Sequence, residues 1–287
     1  MEFIQEIAGF MHNEQVDYLF LSAELTVHSV DGLSFTLLQE DGINDAMLST
    51  EAHLMIVPVP LVTFSQVHTV VPVFLIPASR TSVLYMYEDR WRSNPLYWQS
   101  RLRVRWGRGE RIFARNCRVV RPQAEQLSSF LQACHTYGST RSRYRYALVD
   151  AKDRLVAAAT FSAPRWMDRE GVQVASWEWI RYASLPELTI VGGMSRLLES
   201  FVREVRPQEI MTYADLEWSS GTAYRQLGFE KVETRPCVEF CVDPSDWSRH
   251  SVAKMNNDRR YRNSGLMWQD WPRIVNLGSE KFLRRYW

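Results

Sequence analysis

Two segments carry residues whose types and spacing could do chemistry. The first reads Ile190-Val191-Gly192-Gly193-Met194-Ser195-Arg196. Paired glycines between a strand and a helix let the backbone approach a ligand closely. The first-turn amides of that helix then point outward, with the positive end of the helix dipole behind them. A pyrophosphate fits such a cradle, and Ser195 and Arg196 would add a hydroxyl and a charge to it. A plain tight turn ahead of a helix would read the same way. Neither G-x-G-x-x-G nor the Lys-Ser/Thr pair of a phosphate loop is present, which argues against a dinucleotide or a nucleoside triphosphate at this place. The second segment lies downstream, Tyr213-Ala214-Asp215-Leu216-Glu217-Trp218-Ser219 followed by Ala223-Tyr224-Arg225-Gln226-Leu227-Gly228-Phe229.

The elements that must position these residues follow from periodicity and turn chemistry. Strands are expected over 117–120, 144–149 and 155–161, with 150–153 as the turn between the last two, and a helix over 122–135. A long fourth strand covers 172–183, a helix runs from Gly192 to about Val205, and 210–214 is a strand. A short helix follows over 222–227, and closing strands lie within 232–242. This β-α-β-β-β-α-β-α-β order predicts an α/β domain with one central mixed sheet and flanking helices. Ahead of it, residues 1–110 read as a smaller α/β domain, with an amphipathic helix near 3–12 and strand-like runs at 52–59, 68–76 and 82–87. An arginine-studded helix between 89 and 111 ends at Gly107 and Gly109, which mark the boundary. The expected division is therefore 1–110, 111–244 and a carboxy-terminal extension, 245–287. That extension holds Trp268, Trp271, Phe282, Tyr286 and Trp287, too many aromatics for a disordered tail.

Together the Gly192-Gly193 loop and the Tyr224 to Phe229 ending resemble the GNAT superfamily of N-acetyltransferases over residues 117–242. The resemblance implies binding of acetyl-CoA or another acyl-CoA and transfer of the acyl group to an amine. In that family the glycine loop holds the pyrophosphate, splayed strands admit the pantetheine arm, and the tyrosine matching Tyr224 can protonate the departing thiolate. A closer resemblance is to the acetyltransferase-like module of phage homing-endonuclease-like proteins, which share the Val191-Gly192-Gly193 loop, the Tyr213-x-Asp215-x-x-Trp218-Ser219 segment and Leu227-Gly228-Phe229. It implies a Vsr-like nuclease ancestry for the amino-terminal domain. A restriction-type nuclease needs acidic metal ligands and usually a lysine, and no lysine precedes Lys152, so a degenerate or recognition role is expected there.

Acyl transfer to an amine needs a base for the acceptor, a stabilised oxyanion and an acid for the thiolate, with much of the rate coming from positioning. Tyr224 is the candidate acid; ordinary aromatic packing is the alternative. Asp215 and Glu217 leave the end of a strand near the expected acceptor site and could supply the base, or could cap a helix or form salt bridges. Strand alternation puts Glu178, Ile180 and Tyr182 on one face and Trp177, Trp179 and Arg181 on the other, so one of these faces can line the site. His135 could shuttle a proton, or sit as a cation at a helix end. Many acetyltransferases carry an asparagine seven residues before the tyrosine; here that place is Glu217, a departure that bears on coenzyme binding.

With 287 residues, 46% of them hydrophobic, the chain can bury cores for two modest domains. No apolar run approaches the roughly 18 residues of a membrane helix. Glu2 and Glu6 stand where a secretory signal would be basic and then apolar, so a cytoplasmic protein is expected. Cys117, Cys134, Cys237 and Cys241 have neither C-x-x-C spacing nor clustered histidines, which argues against a zinc site and a disulfide framework and makes buried thiols the expectation. The net charge is +1, yet only four of the 34 basic residues are lysine. Arginines crowd the stretch 90–121, a density suited to phosphates and hence to nucleic acid; a solvated, salt-bridged face is the alternative.

Overall fold

A computed structural model describes residues 2–16, 18–21, 46–49, 54–59, 61, 82–257 and 268–287. The strand expected at 68–76 lies outside these residues. The amino-terminal helix α1 (Glu2–Asn13) buries Phe3, Ile7, Phe10 and Met11 along one helical face. Strands β1 (Tyr18–Leu21), β2 (Ala46–Ser49), β3 (Leu54–Val59) and β4 (Ser82–Tyr87) form a sheet in that order, parallel between β3 and β4 and antiparallel elsewhere. Two helices, α2 (Glu88–Ser93) and α3 (Pro95–Arg105), replace the single helix expected between 89 and 111. Proline cannot continue a helix but readily opens one, and Asn94 Oδ1 accepts the Tyr97 N–H at 3.2 Å across the new start.

The chain continues through β5 (Glu110–Phe113), β6 (Arg118–Val120), α4 (Ala124–Cys134), β7 (Tyr144–Val149) and β8 (Leu155–Phe161). Next come β9 (Arg165–Arg169), β10 (Val172–Ser184), β11 (Leu188–Val191), α5 (Gly193–Val205), β12 (Glu209–Asp215), α6 (Thr222–Gln226) and β13 (Glu230–Arg235). The last elements are β14 (Glu239–Val242), β15 (Arg249–Ser251), α7 (Val252–Asn257), β16 (Arg273–Val275) and β17 (Ser279–Arg285). No helix among the described residues is long and apolar enough to cross a membrane.

Two compact units result, both discontinuous in sequence. Unit 1 comprises Met1–Gln99, Asp215–Ser219 and Arg235–Ser279; unit 2 comprises Ser100–Ala214, Ser220–Thr234 and Glu280–Trp287. In unit 1 the β3 and β4 residues Val57, Tyr85 and Tyr87 pack with Val242, Ile274 and Leu277, and β14 sits between β15 and β16 in a small antiparallel sheet.

Unit 2 is mixed α/β, built on a large sheet of order β13-β17-β12-β10-β8-β7-β6 with β9 also on β10. The pair β10–β12 is parallel, whereas β6–β7, β7–β8 and β8–β10 are antiparallel. Side-chain alternation assigns the two faces. Tyr146, Leu148, Ala157 and Ala159 meet Leu197, Leu198 and Phe201 of α5, while Ala147 and Ala158 meet Leu127 and Leu131 of α4. At the α5 face Phe161 and Phe201 stack with ring centroids 3.9 Å apart. The β9–β10 hairpin, absent from the sequence reading, turns at Glu170 and Gly171, both with positive φ. Strand β17 enters between β13 and β12 and carries Phe282 into the core.

Candidate functional site

The long strand β10 creates two openings. Its parallel pairing with β12 covers Ser176↔Glu209, Trp177↔Ile210 and Glu178↔Met211 and then stops, although β10 runs on to Ser184 and β12 to Asp215. Beyond that point Thr212 Oγ1 donates to the Trp179 carbonyl at 3.0 Å, a side-chain link in place of a ladder bond. On the opposite edge the register with β8 slips between Trp179 and Arg181, leaving Ile180 as the extra residue of a bulge. The bulge reverses the alternation expected from sequence. Trp177 and Trp179 lie on the α5 face, and Tyr182 joins them there instead of facing away, its ring 6.2 Å from that of Trp179.

Tyr224, on α6, closes this region. Its ring packs at 5.8 Å from Trp179, 5.9 Å from Phe229 and 5.6 Å from Phe282. Burial pushes its hydroxyl above the ordinary tyrosine range, and a hydrogen bond with Thr212 opposes that shift. A raised value keeps the phenol protonated at neutral pH. Glu178 is half-buried on β10 next to Trp179, at the last paired position before the splay; its amide donates to Ser162 Oγ at 2.9 Å.

The glycine loop lies between β11 and α5. Strand β11 pairs in parallel with β5, ending at Val191↔Phe113. Gly192 then adopts φ 75°, ψ 10° as the N-cap of α5, a conformation that glycine enters without steric cost. A Cβ on Gly192 would meet open space, its nearest neighbour being Ala114 Cβ at 4.0 Å. The adjacent glycine differs: a Cβ on Gly193 would lie 2.7 Å from the Tyr182 hydroxyl and 2.9 Å from Ile190 Cγ2. Gly193 therefore serves close packing of α5 on β10, and Gly192 faces the exterior.

What Gly192 faces is a cavity of about 940 Å³, lined among others by Phe113, Val119, Val191 and the arginines Arg115, Arg118, Arg196 and Arg203. Arg196 Nη1 donates to the Ala114 carbonyl at 2.8 Å, which fixes its guanidinium on the wall, and Ser195 Oγ donates to Glu199 Oε1 at 3.0 Å. Of the expected loop residues, Val191, Gly192, Ser195 and Arg196 line this space, whereas Ile190, Gly193 and Met194 are turned into the protein. Sequence reasoning missed Arg203 as part of the cradle. The signal was present, since Arg203 follows Arg196 by seven residues and so shares its helical face.

The remaining candidates are placed elsewhere. His135 caps α4, and its Nδ1 accepts the Tyr137 amide at 3.1 Å, which fixes that nitrogen as unprotonated. Asp215 and Glu217 belong to unit 1. Asp215 Oδ1 accepts the Glu217 amide at 3.0 Å, an Asx turn at the end of β12. The Glu217 carboxylate is buried and held by Arg249 Nη1 at 2.5 Å. In the arginine-rich stretch, Arg92 pairs with Glu6 and Glu88, Arg118 with Asp153, and Arg121 with Glu204. None of the four cysteines is in a disulfide and three of them are buried; burial pushes the Cys134 thiol up to about 11. Among the described residues no group of three or more His, Cys, Asp or Glu side chains is set to hold a metal ion.

No family model matches the chain, and no curated protein matches it in sequence. Several solved structures are similar in part, and they are N-acetyltransferases. The ribosomal-protein-S18-alanine N-acetyltransferase of Escherichia coli aligns over 59% of this chain and 93% of its own, with 10% identity and a TM-score of 0.36. The polyamine N-acetyltransferase of Drosophila melanogaster aligns over 59% and 100%, with 12% identity and a TM-score of 0.34. The NatC complex bound to Gag peptide and CoA aligns over 60% and 99%, with 10% identity and a TM-score of 0.35. Likenesses this distant carry no argument about activity, which has to come from the chain's own geometry.

Proposed function

We propose that unit 2 binds acyl-coenzyme A, acetyl-CoA in the first instance, and transfers the acyl group to an amine. The observation that carries this reading is the left-handed Gly192 at the start of α5, open on its outer side to an arginine-lined cavity. First-turn amides without intrahelical acceptors, the helix dipole and the Arg196 guanidinium all favour a diphosphate at that point. The splay between β10 and β12 beyond Glu178 and Met211 offers the path for a pantetheine arm. When bound, the cofactor supplies the acyl group as a thioester.

The residues of this chain then have distinct tasks. The edge of β10 that faces β12 beyond Glu178, unpaired there, would orient a carbonyl by backbone hydrogen bonds. Tyr224, protonated at neutral pH as an ordinary phenol is and held further so by burial, would give its proton to the departing sulfur, with Thr212 holding the phenol in place. Glu178, half-buried at the mouth of the splay, is the proposed acceptor of the amine proton. Glu217 is committed to Arg249 and takes no part in the proposal.

Calorimetric titration of the full chain with acetyl-CoA tests the reading. The informative variant is Ser195→Glu: a carboxylate in the first turn suits the helix dipole and preserves α5, but repels a diphosphate. The wild type is expected to bind, and the variant to bind about tenfold or more weakly with an unchanged circular dichroism spectrum. Absence of binding to the wild type at high micromolar acetyl-CoA overturns the proposal. Gly193 is a poor choice for this experiment, because any side chain there collides with Tyr182 and Ile190. For the chemistry, Tyr224→Phe is expected to lower turnover about 100-fold with acetyl-CoA affinity retained, once an amine acceptor is in hand.

A further inference from the structure

The bulge at Ile180 has a second consequence, on the other face of the sheet. Before it, Trp177 and Trp179 lie on the α5 face, which puts Glu178 on the α4 face; beyond it, Ala183 packs with Leu127 and Leu131 of α4, which puts Arg181 there as well. Three positions apart on a regular strand, the two would face opposite ways. Both are half-buried, yet no ion pair joins them, and the Glu178 carboxylate makes no hydrogen bond among the described residues. Arg181 is fixed from two sides: Nε donates to the Gly138 carbonyl at 3.3 Å and Nη1 to the Ile180 carbonyl at 3.0 Å, with the guanidinium 5.8 Å from the centre of the Tyr137 ring. Its Nη2 has no partner among the described residues. Burial pulls Arg181 below the usual arginine value, and the charge of Glu178 opposes that shift, so the two groups feel each other without touching. In the ladder Thr160 of β8 stands between Arg181 of β10 and Arg145 of β7, cross-strand neighbours about 5 Å apart at Cβ. Thr160 is fully buried and its Oγ1 has no hydrogen-bond partner among the described residues. Arg145 is half-buried and likewise makes no ion pair or side-chain hydrogen bond among them. One patch of unit 2 thus holds two guanidiniums short of an anion, an orphaned hydroxyl and a carboxylate short of a cation.

We propose that the acceptor is an amine that carries a carboxylate, of the free amino-acid class, with its nitrogen at Glu178 and its carboxylate held by Arg181, Arg145 and the Thr160 hydroxyl. A carboxylate matches the guanidinium fork and can take the hydroxyl proton as well. A polyamine would instead bring a further ammonium against two arginines, which selects against it. The chemistry rests on the acyl-CoA reading. Glu178 takes a proton from the acceptor ammonium, the freed amine attacks the thioester carbon, and the carbon–sulfur bond breaks. The sulfur leaves with the Tyr224 proton, and the second proton shed by the nitrogen returns through solvent to the phenolate. The products are an N-acyl amino acid and the coenzyme A thiol.

The test pairs the common amino acids with the amines left by their decarboxylation, lysine with cadaverine and arginine with agmatine among them. Each is offered to the full chain with acetyl-CoA, and release of the thiol is followed. In at least one pair the amino acid is expected to have the higher kcat/KM, by about tenfold or more. Arg181→Gln should bring that ratio close to one, chiefly through KM for the amino acid, and Arg181→Lys, which keeps the charge without the fork, should retain part of it. If Arg181→Gln does not fold, Arg145→Gln makes the same comparison, and the wild-type ratio needs no variant at all. A wild type that treats both members of every pair alike or favours the decarboxylated ones, or an Arg181→Gln protein that loses both members equally, overturns the proposal. The same panel is titrated calorimetrically without cofactor. An amino acid that binds through Arg181 to a chain unable to bind acetyl-CoA keeps this site and sinks the acyl-CoA reading. Acetyl-CoA binding with no amino acid bound or acetylated does the reverse, and with neither bound both fall.

Discussion

In unit 2, Glu209 is buried at the start of β12 and receives Nε and Nη2 of Arg169 at 3.0 and 2.7 Å. In unit 1, Glu217 receives one nitrogen of Arg249 at 2.5 Å, while the other two hold Asp89 at 2.5 and 3.0 Å. The two carboxyls are displaced in opposite directions. Burial raises Glu209, but the hydrogen bonds and charge of Arg169 outweigh it and leave the group below its ordinary value. Burial also raises Glu217, and there Arg249 does not overcome it. Arg169 keeps 27% of its side chain in water and serves one glutamate; Arg249 keeps 5% and is divided between two carboxylates. A cation shared in dry surroundings leaves Glu217 incompletely compensated. The contrast also separates two uses of arginine: Arg249 in unit 1 spends all three of its nitrogens on buried carboxylates and is structural, whereas the groove arginines of unit 2 lie at a cavity wall open to a ligand.

Removing Arg249 is the hardest test of that contrast. Arg249→Met leaves Asp89 and Glu217 buried without their cation, an expected loss of about 3–5 kcal/mol in denaturant titration. Adding Asp89→Asn and Glu217→Gln should recover much of it, because the uncompensated charges are gone. A loss below about 1 kcal/mol in the single variant would mean that water reaches the cluster, and the comparison with Arg169 would collapse.

The next effect compares two glycines that begin helices with nearly the same backbone, Gly192 at φ 75° and Gly221 at φ 72°. A Cβ at Gly221 would stand 2.2 Å from Cζ of the buried Phe282 ring. Gly221→Ala is therefore expected to cost about 2–4 kcal/mol, combining overpacking with left-handed strain. Gly192→Ala meets open space and should cost about 1 kcal/mol, the strain alone. Thermal or urea denaturation of the two variants side by side measures the difference. Equal losses would show that the packing at Gly221 yields.

Much of unit 2 was legible in the sequence because its signals are local. The short apolar runs at β7, β8 and β12, the double glycine ahead of α5 and the Leu-Gly-Phe after α6 each fix an element within a few residues. What was hidden depends on distant partners. The bulge at Ile180 follows from the register of β10 on β8, so the strict alternation that put Tyr182 opposite Trp179 failed. The role of β17 depends on a strand slot formed by residues some 50 or more positions earlier in the chain. Glu217 looked like a candidate base because its partner, Arg249, lies 32 residues away and nothing in the spacing announces the pair. Arg118 and Arg203 were visible as arginines, but the groove that joins them is tertiary.

The smallest expected effect uses pH to read the two glutamates separately. The folded value of Glu209 lies below its ordinary 4.5, so its stabilisation is complete above that pH and is lost as pH falls through the folded value. The folded value of Glu217 lies above 4.5. Between 4.5 and that value the folded state holds a proton that the unfolded state has released, so acidification over this window favours folding. Each group changes stability by at most about 1.4 kcal/mol per pH unit within its own window. Urea midpoints of the wild type, Glu209→Gln and Glu217→Gln between pH 7 and pH 3.5 isolate the two terms. Glu217→Gln should remove a gain seen on acidifying toward 4.5, and Glu209→Gln should flatten the decline below it. At pH 7 Glu209→Gln should be the costlier change, since it weakens a bidentate bond to a charged carboxylate, whereas Glu217→Gln relieves a buried charge that Arg249 cannot fully compensate. Superimposable profiles for the three proteins would mean that both carboxyls titrate alike, and that dividing Arg249 between two anions has no thermodynamic consequence.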